Sequence, residues 1–157
     1  MNNELIKDLV NGFLFVMLDI LFFQHLSIFG ASLDPILFYS IWLVQKYSRT
    51  QLLIFTALLA FLQDAIFDFW GLMIFSKTLT FFIVYKFIKK RTESQLLMWH
   101  IFILIVIVAM LHNLILFSYG NFFNTYSFDY SPFVLIFGNS IYTALVGVLI
   151  YIFKVKN

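Results

Sequence analysis

The chain has 157 residues, 62% of them hydrophobic and only 11% Asp, Glu, Lys or Arg. A water-soluble domain of this size would be about 25% charged, so the composition excludes a soluble globule and points to an integral membrane protein. The absence of cysteine excludes disulfides, thiolate catalysis and Cys-based zinc sites.

The first apolar run, about 9–29, is longer than a signal-peptide core and contains Asp19. It reads as a retained spanning helix. Gly30 and Asp34 make the bend after it. Pro35 then opens a short segment, about 35–47, where its missing N–H costs nothing in a first helical turn. A long run at about 51–72 comes third, and Gly71 and Ser76 punctuate the passage into a fourth, about 74–89. Lys89-Lys90-Arg91-Thr92-Glu93 separates it from a fifth, about 96–118. The aromatic stretch "YGNFFNTYSFDYSPF" leads to the sixth, about 132–153. The expected fold is all-α: one transmembrane domain over residues 1–157 with six spans.

A spanning helix needs about 20 residues, so the second segment could instead be re-entrant. Charge placement argues for crossing. With six spans and a cytoplasmic N-terminus, the cytoplasmic side receives Lys7, Lys46, Arg49, Lys86, the 89–91 cluster, Lys154 and Lys156, and the outer side only Lys77. Trp42, Trp70 and Trp99 fall near segment ends, where amphipathic rings prefer to sit.

Some groups do not belong in lipid. A charged Asp at mid-bilayer costs about 2.5–3.5 kcal/mol on insertion scales. Asp19 lies mid-segment, and Asp64 and Asp68 stand one turn apart on one face of the third segment. Gln24, His25, Gln63, His112, Asn113 and Asn139 add neutral polar groups. The acids with His25 or His112 have the donor types for a cation site or a proton relay. Paired acids also suit general acid–base work. The leading expectation is structural: Asp64 ties its helix to neighbours, Asp68 caps or hydrates at the interface, and His112-Asn113 bonds between helices. No metal or cofactor is expected. No nucleophile elbow, H-E-x-x-H or P-loop occurs, so no catalytic residue is assigned. "KFIKKR" reads as a topology signal and a contact for anionic membrane lipids, not for nucleic acid. Ser140, Ala144 and Gly147 form a small-residue packing face, for internal packing or a partner helix. Tyr119, Phe122, Phe123, Tyr126, Phe128 and Tyr130 fill the expected outer loop, either as partner anchors or as a headgroup belt.

The passage "FQHLSIFGASLDPILFYSIWL", a short second helix and "FLQDAIFDFWGL" closing the third together resemble the rod shape-determining protein MreD family. Its motif positions correspond to Phe29, Gly30, Pro35, Tyr39, Asp64 and Gly71, across residues 1–90. After Gly71 the chain reads "LMIFSKT", where the family often has His or Arg followed by small residues. The resemblance implies a fold similar to the membrane substrate-binding component of energy-coupling-factor transporters. It also implies a non-catalytic role in the bacterial cell-elongation complex, supporting lateral peptidoglycan synthesis. The implied partners are an MreC-like bitopic membrane protein, a RodA-type SEDS glycosyltransferase with its class B penicillin-binding protein, and an MreB-like filament. The competing expectation is the small-molecule-binding membrane component of an energy-coupling-factor-type importer, with a midplane site shaped by the short helices.

Overall fold

The structure is a computed structural model that describes residues 3–92, 98–123 and 131–155. Among these it is all-helical, with six α-helices: α1 Asn3–Leu21, α2 Pro35–Lys46, α3 Arg49–Phe67, α4 Leu72–Thr92, α5 Met98–Phe123 and α6 Asn139–Val155. Three helical stretches are long and apolar enough to cross a membrane: Arg49–Phe67, Met98–Phe123 and Val134–Ile152.

α2 is the axis of the bundle. It touches each of the other five helices. Of its 12 residues, Pro35 through Ile41, Leu43 and Val44 are buried. A helix that is apolar all round must be covered all round, and α2 is sheathed by the rest of the chain. At about 1.5 Å per residue it covers about 18 Å.

The surrounding helices turn apolar side chains outward. Leu14, Leu18, Phe61, Phe82, Leu145 and Leu149 are all exposed. A soluble monomer rarely exposes apolar area on this scale, which fits a lipid-facing surface. α4 carries the pattern inside out: Ser76, Lys77 and Thr80 are fully buried, while Phe75, Phe82 and Phe87 face out.

The helix limits differ from the sequence expectation in three informative places. α1 starts at Asn3 and stops at Leu21, because Asp8 is buried against α2 and the polar start belongs inside the bundle. The chain then passes through a short 3₁₀ turn, Phe23–His25, and reverses where Phe29 and Gly30 take left-handed backbone. α3 ends at Phe67, with Asp68 as a left-handed C-cap, so Asp68 leaves the helix face that carries Asp64. α5 runs on to Phe123, so Tyr119, Phe122 and Phe123 sit on its last turns instead of in a loop. Tyr126, Phe128 and Tyr130 lie outside the described residues.

A π-helical turn, Val134–Gly138, leads into α6. Ser140, Ala144 and Gly147 all face inward. A Cβ at Gly147 would stand 3.0 Å from Ile105 Cδ1 and 3.4 Å from Phe38 Cβ. The small-residue face is therefore filled by α5 and α2.

Candidate functional site

The polar groups collect at the two ends of α2. At its N-terminal end Asp34 caps the helix, accepting the Leu37 N–H at 3.0 Å. Lys77, on α4, is 0% exposed and lies 2.8 Å from each carboxylate oxygen of Asp34. The same ammonium donates to Gln63 Oε1 on α3, and Gln63 Nε2 donates to Asp19 Oδ2 on α1 at 2.7 Å. His112 Nε2, on α5, stands 3.4 Å from Asp34 Oδ2. The Asp34 N–H donates to Thr143 Oγ1 on α6 at 3.2 Å. One network thus joins all six helices. Dehydration works to raise the Asp34 carboxyl, but Lys77 and then His112 outweigh it and hold it below the usual carboxylate range.

Asp64 works one layer away. Its Oδ1 accepts the Met73 N–H and its Oδ2 the Ile74 N–H, both at 2.9 Å. These are orphan donors in the first turn of α4, so the last turn of α3 caps the next helix across a tight turn. That turn needs left-handed backbone at Asp68, Trp70 and Gly71. A carboxylate at a helix N-terminus is favoured by both the hydrogen bonds and the dipole.

At the C-terminal end of α2, Lys46 Nζ lies 3.0 Å from both oxygens of Asp8 on α1. Tyr47 donates to Asp8 Oδ2 at 2.8 Å, and Tyr39 donates to the Asp8 carbonyl at 2.6 Å. Lys89 Nζ, on α4, reaches the Val44 and Gln45 carbonyls at 3.2 Å. A cation there satisfies the last carbonyls of the helix.

The structure distributes the candidate residues among several roles. Asp19 and His112 join the Lys77 network, and Asp64 caps α4. Asn113 is buried and donates to Ser140 Oγ at 3.1 Å, joining α5 to α6. Asp68 and His25 are exposed and lie outside the network. Among the described residues no group of three His, Asp or Glu could hold a metal ion.

Sequence reasoning misses Lys77, Asp34 and Asp8 as network members. The charge pattern counts Lys77 as the one outer-side positive charge and gives it no partner; its side chain is fully buried in the bundle. The available signal is its position on α4 beside Ser76 and three residues from Thr80, two small hydroxyl residues four apart on one face.

A cavity of about 150 Å³ opens beside this network, with Asp19, Asp34, His112, Asn113 and Asn139 supplying its polar wall. The arrangement can hold charge, bind small polar groups and fix helices. Comparison of the chain with protein-family models, with curated proteins and with solved structures finds no match.

Proposed function

We propose that the chain is a non-catalytic, six-span scaffold of the bacterial cell-elongation complex in the inner membrane, with both termini cytoplasmic. The observation that carries this reading is the use of the acids inside the bundle. Asp8, Asp34 and Asp64 each bond to another element, and together they clamp α2 and the α3–α4 turn into one rigid frame. Rigid frames suit docking, because little ordering entropy is lost when a partner binds.

Two further features support it. The basic residues Lys46, Arg49 and Lys89 gather at the C-terminal end of α2, away from Lys77, and a basic end favours the cytoplasm. The positions that carry the resemblance to the MreD family also do structural work. Gly30 and Gly71 take left-handed backbone, Tyr39 bonds to Asp8, and Asp64 caps α4. On this reading the apolar outer surface meets the MreC-like protein and the RodA-type glycosyltransferase with its penicillin-binding protein. Phe122 and Phe123, exposed at the end of α5, are candidate anchors. The basic end faces the MreB-like filament and anionic lipids.

Depletion of the protein should round the cells, and the tagged full chain should co-purify with those partners. Retained rod shape and lateral wall synthesis after depletion would sink the proposal. The importer reading draws on the cavity, but size weighs against it. About 150 Å³ is roughly five water volumes, whereas sites for drug-sized ligands run about 300–1,000 Å³.

A further inference from the structure

The Lys77 network is unbalanced. Asp19 and Asp34 are two carboxylates facing one ammonium. Lys77 makes its ion pair with Asp34. Asp19 is 7% exposed and lies on the cavity wall. Among the described residues its one hydrogen bond comes from the neutral Gln63 amide, on Oδ2, and no cationic side chain pairs with it. A buried carboxylate served by one neutral donor must take up a proton or a cation.

The walls specify which cation. The Lys77 ammonium already shows what this end of the bundle accommodates: a carboxylate on one side and an amide oxygen on the other. The cavity repeats that set, with the Asp19 carboxylate and the side-chain amide of Asn113, whose nitrogen donates to Ser140. Phe67 and Phe69, whose ring centroids are 5.5 Å apart, line the same space. Aromatic faces attract organic cations, and Leu116 adds an apolar wall for an alkyl stem. The volume admits a group of a few heavy atoms. We propose that this cavity binds a primary ammonium group through Asp19, supplied by a small free amine or by the ethanolamine headgroup of a lipid. The site stands apart from the docking role: its failure would leave the scaffold reading untouched, and the reverse also holds.

The test uses the purified full chain in lipid nanodiscs made of phosphatidylglycerol alone. Ethanolamine hydrochloride is titrated against matched sodium chloride and tetramethylammonium chloride, with thermal unfolding and calorimetry as readouts. Ethanolamine should raise the unfolding temperature and bind saturably, while the two controls do neither. Asp19→Asn, which keeps an acceptor for Gln63, should weaken binding by about tenfold or more, the loss typical of one charge-assisted contact. Asp19→Glu should keep measurable binding, so a poorly folding Asn variant does not blunt the test. Adding phosphatidylethanolamine to the discs separates the sources. If the lipid is the natural supplier, it raises the unfolding temperature by itself and removes the response to free ethanolamine. If a free amine is, the response persists. No response in the wild type, or an equal response to sodium or tetramethylammonium, would overturn the proposal and leave Asp19 simply protonated.

Discussion

The two ends of α2 use the same pair of residue types in opposite settings. Lys46 meets Asp8 with 41% of the lysine side chain exposed, whereas Lys77 meets Asp34 with none; the carboxylates run the other way, 5% exposed at Asp8 and 21% at Asp34. At the Asp8 end, water and salt reach the lysine, and the Tyr47 hydroxyl still donates to the carboxylate if the lysine is lost. At the Lys77 end the ammonium was stripped of water on folding and sits between α2, α3 and α4. The contrast teaches that an ion pair's worth is set by what its removal leaves behind. An exposed ammonium is rehydrated when its partner is lost; one buried among three helices is not.

The sharpest way to break this comparison is Lys77→Met. It leaves Asp34, 21% exposed, and Gln63 Oε1 without the ammonium they share, and should cost about 3 kcal/mol in reversible unfolding. The double variant Lys77→Met with Asp34→Asn should recover a clear part of that loss. A double variant no better than the single one would mean that packing, not charge, governs this end. Between the two ends lies a control. A Cβ at Gly12 would stand 2.9 Å from both Leu59 methyls and 3.2 Å from Tyr39. Gly12→Val should therefore cost about 1–3 kcal/mol by overpacking, with no dependence on salt.

Asp64→Ala removes a cap from two N–H groups and should cost about 1–2 kcal/mol, while Asp64→Asn keeps an acceptor and should cost less. An Asn variant as damaged as the Ala variant would show that the negative charge itself matters there. The smallest effect belongs to Lys46→Met, about 1 kcal/mol and shrinking as salt is raised, because the lysine is already hydrated and Tyr47 still serves Asp8. Equal penalties for Lys46→Met and Lys77→Met would erase the distinction between the ends.

Much of the frame is legible in the sequence. The limits of α2 are readable because Pro35 and Lys46-Tyr47 bracket a short apolar run. Asp64 stands out because a carboxylate in an apolar segment needs a partner. Its actual partner, the start of the next helix, is hidden because the apolar run of α3 reads through to residue 72, and only the left-handed turn at 68–71 brings the two together. The Lys77 network is not legible, since Lys77 and Asp34 are 43 residues apart and nothing local links them. A lysine near a segment end reads as an interfacial charge, because its long stem can carry the ammonium outward. Here the stem runs inward. The end of α5 misleads for a related reason. "YGNFF" carries turn-forming residues, but Tyr119 packs on Phe75 of α4 with ring centroids 4.5 Å apart, and that contact extends the helix.

The shortness of α2 has a consequence for how the molecule meets bilayers of different thickness. At about 18 Å it falls well short of about 30 Å of hydrocarbon. Sheathed by five neighbours, it presents that shortfall to protein and not to acyl chains. Hydrophobic mismatch is then felt by the peripheral helices, above all α5, whose 26 residues measure about 39 Å. Longer or shorter lipids should change the tilt of α5 and α6 while the clamped axis keeps its place, so the frame is buffered against the thickness of the membrane around it.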